Sequence, residues 1–193
     1  MQLAVAQTIA DTEAEGPGRR FALWVQGCPL RCPGCCNPQM LPFGRGDAVE
    51  ISALAAEIRA TRGIEGVSFL GGEPFAQPGP LAELARLVRP LSLMIYTGFT
   101  VAELRAREDA DTDALLAAAD LVVDGPYRRE EPESVRRWIG SRNQQLHFLT
   151  DRYHPSDPRF RAQNTVEIRL KKGELVVNGW PALAAATLEK KRR

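Results

Sequence analysis

Strand-like and helix-like segments alternate along most of this chain, and the alternation limits the folds that it can adopt. Short apolar, β-prone runs are followed by segments with apolar residues at helical spacing. This order predicts right-handed βαβ units and a parallel sheet. The predicted strands are 2–9, 21–26, 67–70, 91–96 and 121–123, and the predicted helices start after a Ser52 cap or cover 81–88, 101–107 and 112–119.

The number of these units predicts an incomplete barrel. An eight-stranded barrel needs about 200 residues or more, and only four or five units precede residue 150. We therefore expect an α/β fold in which about five to six parallel strands form a partial, open (β/α) barrel over residues 1–160. Alternating apolar residues predict a C-terminal β-hairpin at 165–179, and 161–193 are expected to pack on the same domain as this hairpin and a tail.

Length and charge exclude several classes of protein. The 193 residues suit one domain, and 25 Lys and Arg against 24 Asp and Glu give a net charge of +1. The chain therefore carries no large overall positive charge that would attract nucleic acid. The start lacks a basic and then apolar leader, and no apolar run approaches the roughly 20 residues that span a bilayer. We expect a cytoplasmic protein that binds neither membranes nor nucleic acid.

Three cysteines lie in a Pro- and Gly-rich loop after the second predicted strand. Cys28, Cys32 and Cys35 have the spacing Cys-x3-Cys-x2-Cys. A [4Fe-4S] cube normally takes four thiolates, so a loop that offers three leaves one iron open to a substrate. Structural zinc usually takes cysteine pairs from two separated knuckles, whereas all four cysteines here fall within nine positions. The spacing therefore favours an iron–sulfur cluster over zinc.

The fourth cysteine, Cys36, is interpreted as a packing residue. Its Cα lies about 3.8 Å from that of Cys35, which is closer than the roughly 4.4 to 6.8 Å of most disulfides. Disulfide frameworks are also typical of short secreted chains. Because adjacent residues rarely both reach one cluster, we expect Cys36 to be a small, partly buried side chain beside the site.

Glycine and polar residues follow the other predicted strands, at the edge where parallel sheets bind ligands. Gly71 and Gly72 would let a ligand approach the backbone closely, and the next residue, Glu73, is placed to accept hydrogen bonds from an ammonium group. Thr97 and Asp124 are interpreted either as polar contacts of a small molecule or as ordinary caps and turn residues. We expect all of these residues to meet the cysteine loop at one edge of the sheet.

Taken in order, these motifs resemble the radical S-adenosylmethionine (SAM) superfamily and, within it, the small activating proteins of anaerobic ribonucleotide reductase. The resemblance covers roughly residues 5 to 150. Besides the cysteine motif and residues 71–74, it rests on the motifs at 16–20, 96–99, 123–127 and 138–144.

The resemblance implies a radical SAM oxidoreductase with a [4Fe-4S] cluster and SAM as cofactors. The implied site residues are the cluster ligands Cys28, Cys32 and Cys35, the methionine-binding Gly71, Gly72 and Glu73, and Thr97 and Asp124 at the edge of the cofactor site.

The resemblance also implies partners. The reduced cluster would cleave SAM to a 5'-deoxyadenosyl radical, which would take a hydrogen atom from a backbone glycine of a glycyl radical enzyme such as anaerobic ribonucleotide reductase. A reductant such as flavodoxin or ferredoxin would supply the electron. Two alternatives stay open: a radical SAM enzyme that modifies a peptide, nucleoside or small metabolite, and a non-catalytic zinc or electron-transfer module.

Overall fold

The computed structural model describes residues 1–171 and 174–180, which form a mixed α/β fold. The four α-helices of this part are α1 (Ile51–Ala60), α2 (Pro78–Leu87), α3 (Val101–Arg105) and α4 (Ala110–Ala118). Its nine strands are β1 (Gln2–Thr12), β2 (Arg20–Val25), β3 (Asp47–Glu50), β4 (Gly66–Gly71), β5 (Ser92–Tyr96), β6 (Leu121–Asp124), β7 (Gln145–Phe148), β8 (Val166–Lys171) and β9 (Glu174–Gly179).

Seven strands form one sheet in the order β3-β1-β2-β4-β5-β6-β7. Strands β2, β4, β5 and β6 pair in parallel, while β1, β3 and β7 run antiparallel to their neighbours. The prediction of five to six parallel strands is therefore wrong, because the described residues form four. The connection of residues 13–19 between β1 and β2 is too short for the crossover of about a dozen residues that parallel pairing needs. A barrel-like curvature of this sheet stays a prediction.

Both faces of the central strands are covered, which is why these strands are largely apolar. Every residue of β2 is buried. On one face, Phe21 and Leu23 of β2 belong to the core that includes Leu54 of α1 and Leu81 of α2. On the other face, smaller clusters form around Trp24 and around the aromatic residues Trp138, Tyr153 and Phe160.

The helix starts differ in one detail from expectation. Helix α1 begins at Ile51, and its N-cap is Glu50, whose side chain makes no capping hydrogen bond. The prediction that Ser52 caps this helix is therefore wrong. Helix α3 has a complete capping box, in which Thr100 and Glu103 satisfy each other's backbone N–H groups. None of the helices in the described ranges combines the length and apolar content that spanning a bilayer requires.

The predicted C-terminal hairpin is confirmed, with β8 and β9 pairing antiparallel. It is hydrogen-bonded to the end of β1: the Thr12 hydroxyl donates to Glu167 Oε2 at 2.7 Å, and Arg169 donates to the Asp11 carbonyl at 2.6 Å. The predicted helix at 182–189 and the basic tail lie outside the described residues. The division into 1–160 and 161–193 stays a prediction.

Candidate iron–sulfur site

The sequence-predicted site residues meet at one edge of the sheet. Cys28 follows β2, Glu73 follows β4, Thr97 follows β5 and Asp124 ends β6, and these four strands are parallel, so their carboxyl ends share an edge. Direct contacts join the segments. The Thr97 hydroxyl donates to Glu73 Oε1 at 2.8 Å, and a Cβ built on Gly98, the residue after Thr97, would lie 2.4 Å from Cδ1 of Leu30 in the cysteine loop.

Both ends of the cysteine loop are fastened by backbone hydrogen bonds. The N–H of Gly27 donates to the Met40 carbonyl at 2.9 Å, and the N–H of Cys28 donates to the Leu41 carbonyl at 3.0 Å. The Gly27 carbonyl in turn accepts from the N–H of Glu73 at 2.9 Å. The loop is therefore tied both to its own C-terminal end and to the segment that follows β4.

The three predicted ligands carry free thiols of different exposure. Cys28 is buried, and Cys32 and Cys35 are half-buried. Burial raises the pKa of Cys28 and of Cys35, and the charge of neighbouring cysteines raises it further. A bound metal reverses this preference, because a coordinating thiol is deprotonated. Three thiols grouped in one loop therefore fit an iron–sulfur cluster as a donor set.

The arrangement of these ligands does not centre on one atom. Within residues 1–171 and 174–180, no three His, Cys, Asp or Glu side chains converge on a position that would hold a single metal ion. A [4Fe-4S] cluster binds each thiolate through a different iron, so its ligands surround a volume and need no common point.

The paired glycines allow the protein backbone to pack closely. Gly71 has φ +109°, and a Cβ there would lie 2.7 Å from the Val25 nitrogen. A Cβ on Gly72 would lie 2.4 Å from the Gly27 carbonyl oxygen. The space that the sequence analysis reserved for a ligand at these two Cβ positions is thus filled by β2 and by the start of the cysteine loop. A role of Gly71 and Gly72 in binding SAM stays a prediction.

Glu73 lies at the centre of this edge. Its side chain is 1% exposed and accepts from the Phe75 N–H at 2.9 Å, the Thr97 hydroxyl at 2.8 Å and the Gly98 N–H at 2.9 Å. Burial raises the pKa of Glu73 to about 7, although these hydrogen bonds favour the charged form. A carboxylate has about four acceptor positions, so one remains for a further donor.

Asp124 also has protein partners. Its Oδ2 accepts from the Val101 N–H at 2.8 Å, in the first turn of α3. His147 Nε2 lies 2.9 Å from the same oxygen, without the alignment of a hydrogen bond. Both residues line a cavity of about 540 Å³ together with Arg105, Arg128 and other residues of the β6 and β7 ends. The interpretation of Asp124 as a cap therefore has a structural basis, and its contact with a cofactor stays a prediction.

The loop after β6 contacts the cysteine loop through Tyr127, the last residue of the 123–127 motif, and through Arg129, which the sequence analysis did not single out. Tyr127 lies beside Cys36, and burial together with this thiol raises the pKa of the Tyr127 hydroxyl to about 12. Carbon atoms of the Arg129 side chain lie 2.8 and 3.0 Å from where a Cβ on Gly34 would be. Cys36 is exposed, so the expectation that it is partly buried is wrong. Only the tertiary fold brings these segments together, and no local sequence signal predicts the contacts.

Several buried donors beside the site lack a protein partner among the described residues. They include the Tyr96 hydroxyl, Arg137 Nε and Trp138 Nε1. Tyr96 directly precedes Thr97, and its ring packs against the apolar clusters on the sheet face opposite α1 and α2. Buried polar groups in folded proteins are normally paired. These three donors have no acceptor within the described part of the protein.

The fold and the cysteine loop together are those of an iron–sulfur protein. The family model described as "4Fe-4S single cluster domain" matches residues 14–147, which include β2 to β6, the three predicted ligands and the loops after the parallel strands. The hairpin formed by β8 and β9 lies outside the matched residues.

Curated relatives narrow the class further. The "Anaerobic ribonucleoside-triphosphate reductase-activating protein" of Vibrio cholerae is 32% identical over 146 residues, which cover 70% of this chain and 91% of that protein. The protein of the same name from Pasteurella multocida is 30% identical over 148 residues, covering 70% and 90%. The chain belongs to this family of reductase-activating proteins, which carries the 4Fe-4S single cluster domain.

Family membership confirms the expected cofactors, a [4Fe-4S] cluster and SAM. Among solved structures, that titled "Crystal structure of QueE from Escherichia coli" has a TM-score of 0.40 at 24% identity and covers 52% of this chain and 54% of that one. This degree of likeness supports no conclusion about the site.

Proposed function

We propose that this protein activates an anaerobic ribonucleotide reductase by generating a glycyl radical on it. The observation that carries the proposal is the three-cysteine loop at the carboxyl edge of the parallel strands, in a chain whose curated relatives are named for activating this reductase. The cluster ligands in this proposal are Cys28, Cys32 and Cys35. We assign the reaction to the oxidoreductases, because it consumes an electron.

When bound, the reduced cluster and SAM would supply a 5'-deoxyadenosyl radical that takes a hydrogen atom from a backbone glycine of the reductase. The chain's own residues would bind SAM and orient it. The remaining acceptor position of Glu73 would take the methionine ammonium group, which would hold the carboxylate in its charged form. Thr97 fixes that carboxylate through its 2.8 Å hydrogen bond. Gly71 and Gly72 keep the cysteine loop close to it.

Radical chemistry also requires that the residues around the site exclude competing reactions. The Glu73 carboxylate is almost fully enclosed, and Leu30 covers Gly98 beside it. The unpartnered groups of Tyr96, Arg137 and Trp138 would donate hydrogen bonds to oxygen atoms of SAM or of the glycine-bearing loop.

The test uses anaerobically purified protein with SAM, a reductant and a candidate anaerobic reductase. We expect about four irons and four sulfides per chain, 5'-deoxyadenosine as a product, and a glycyl radical signal on the reductase in electron paramagnetic resonance. Cleavage of SAM without a glycyl radical on any partner encoded by the host would refute the activating role. Zinc without sulfide would refute the radical chemistry as a whole.

The hairpin favours a second candidate function. Residues 166–179 lie beyond the matched family domain, and they would provide an additional surface for a different substrate. The candidate is a radical SAM enzyme that modifies a peptide, nucleoside or small metabolite. A mass change in such a molecule, with no glycyl radical on a reductase, would favour this candidate over activation.

A further inference from the structure

The proposed reaction consumes one electron for each SAM that is cleaved, and that electron must enter from outside the chain. The described residues contain neither a disulfide nor a second group of cysteines that would store it. A one-electron carrier must therefore approach the cluster closely. This inference rests on the proposed function and concerns the surface that the carrier meets.

The outer side of the cysteine loop is bordered by an exposed aromatic residue and by arginines. Phe43 is 59% exposed, and its ring lies 2.5 Å from where a Cβ on Gly27, next to Cys28, would be. Within residues 1–171 and 174–180, Phe43 is the one exposed residue among Phe, Tyr and Trp. Aromatic residues and arginine are enriched in protein–protein interfaces relative to the rest of the surface.

Two arginines border Cys32, one from the cysteine loop itself and one from the loop after β6. Arg31 is exposed and lies between Cys28 and Cys32, and Arg129 packs its aliphatic carbons against Gly34, between Cys32 and Cys35. Arg45 is exposed two residues after Phe43. We call Arg31, Phe43, Arg45 and Arg129 the cluster rim.

Carboxylates are scarce on this side of the cluster. The sequence from residue 26 to residue 46 contains Arg31 and Arg45 and neither Asp nor Glu. Within the described residues, Arg31 and Arg45 have no ion-pair partner. Three acidic residues lie next to the cluster rim in sequence: Asp47, Glu130 and Glu131. Glu131 is paired with Arg128 at 3.0 Å. The overall net charge of the chain is only +1, so this positive charge is local.

We propose that the cluster rim is the docking surface for an acidic one-electron carrier protein. The carrier's reduced cofactor gives up one electron and is oxidised by one unit, and the [4Fe-4S] cluster is reduced from its 2+ to its 1+ state. Electron-transfer complexes bury small interfaces, and complementary charge sets their rate of association more than their affinity. A small positive rim around one apolar side chain matches these requirements.

The test measures how fast the cluster is reduced by a purified acidic bacterial flavodoxin in its hydroquinone state, using stopped-flow absorbance. The test variant is Arg31→Glu/Arg45→Glu. Its matched control is Arg59→Glu/Arg62→Glu, at exposed positions on α1 and just after it, at the opposite end of the parallel strands. Each Arg→Glu change removes two charge units, so both variants carry the same net charge.

We expect the second-order rate constant of the rim variant to fall about tenfold or more at low salt, and that of the control to stay within about twofold. The difference should shrink at about 1 M salt, where the Debye length is only about 3 Å. Photoreduction with a small deazaflavin should proceed equally in all variants, which separates a docking defect from loss of the cluster.

An equal fall in both variants, or no fall in the rim variant, would overturn the proposal. Normal reduction by flavodoxin with impaired glycyl radical formation would overturn it too, because the rim would then receive the reductase. If the double variant loses iron, the single variant Arg45→Glu replaces it in the test. Its second-order rate constant of cluster reduction should be about threefold lower than that of Arg62→Glu. A wild-type preparation without iron or sulfide would instead contradict the proposed function.

Discussion

The hydroxyl of Thr97 donates a hydrogen bond of 2.8 Å to Oε1 of Glu73, and this bond joins the ends of two neighbouring parallel strands. The same hydroxyl accepts from the Phe99 N–H at 3.2 Å. Thr97 thus fixes the buried Glu73 carboxylate relative to the loop after β5. The contact links two residues that the sequence analysis had related only by their positions after successive strands.

Replacement of Thr97 by Val should weaken both the fold and SAM binding. The variant removes one of the two donors to Glu73 Oε1, which keeps the Phe75 N–H, and it leaves the Phe99 N–H without its Thr97 acceptor. A buried hydrogen bond lost in this way costs about 1 to 3 kcal/mol. Urea unfolding and equilibrium binding of SAM would measure the two effects. Thr97→Ser keeps the hydroxyl and should restore most of the SAM affinity. Equal affinities of the Val variant and the wild type would show that Thr97 does not position Glu73.

Removal of one predicted cluster ligand should abolish cluster binding. We expect Cys32→Ala to lose the iron, the sulfide and all SAM cleavage, because two thiolates do not hold the cube. Cys36→Ala should keep close to the wild-type iron content, since its side chain is exposed and only its contact with Tyr127 is removed. Iron and sulfide analysis with visible absorption would compare the variants. A proportional loss of iron in Cys36→Ala would make Cys36 a ligand.

A methyl group on Gly72 should disturb the cysteine loop. Its Cβ would lie 2.4 Å from the Gly27 carbonyl oxygen, and backbone must move to relieve the clash, at a cost of about 1 to 3 kcal/mol. We expect Gly72→Ala to lower both the free energy of unfolding and the iron content. Gly44→Ala is the control, because a Cβ there meets no atom within 4 Å, although its φ of +73° adds some strain. Equal iron contents in the two variants would contradict the close packing of Gly72.

Stability should fall as the pH rises from about 4.5 to 7, in part because of Glu15. This side chain is buried and accepts from the Gly179 N–H at 2.7 Å and from Asn178 at 3.3 Å. Burial raises the pKa of Glu15 from 4.5 to about 7. In this pH range the folded chain therefore binds more protons than the unfolded chain, and the slope of unfolding free energy against pH is negative.

The Glu15 contribution is on the order of 3 kcal/mol across this range, from 1.36 kcal/mol for each pKa unit. Glu15→Gln should remove this part of the slope while keeping an acceptor for Gly179. Urea unfolding at several pH values would measure it, with the raised pKa of Glu73 contributing separately in both proteins. An unchanged slope in Glu15→Gln would contradict the raised pKa of Glu15 in the folded chain.

The sequence predicted the central part of this fold well because local pattern and burial agree there. The parallel strands are apolar runs that end in turn residues, and β4 and β5 lie within one residue of their predicted bounds. The edge strand β3, Asp47–Glu50, is mostly exposed and has no apolar alternation. Its strand form depends on pairing with β1, which a local pattern does not contain. For β7 a signal did exist, in the alternation of Leu146 and Phe148.

Arg20 marks another limit of sequence reasoning. Arginine is almost never fully buried without partners, yet Arg20 is 0% exposed in β2. Its guanidinium donates to Ser68 Oγ at 2.8 Å, Ser92 Oγ at 2.9 Å and the Val67 carbonyl at 2.6 Å. These acceptors come from two other strands, β4 and β5, and only the sheet order brings them to the guanidinium. In the same way, the motif order indicated the site, but it did not reveal that Glu73 is already held by three donors.

The backbone bonds that fasten both ends of the cysteine loop bear on how this enzyme matures. Gly27 and Cys28 are pinned to Met40 and Leu41, while the tip at Arg31 and Gly34 faces solvent. Iron and sulfide would therefore reach the loop through that tip, while the backbone bonds at its two ends stay in place. A cluster destroyed by oxygen would be rebuilt by the same route, so one polypeptide would be reloaded with a cluster several times.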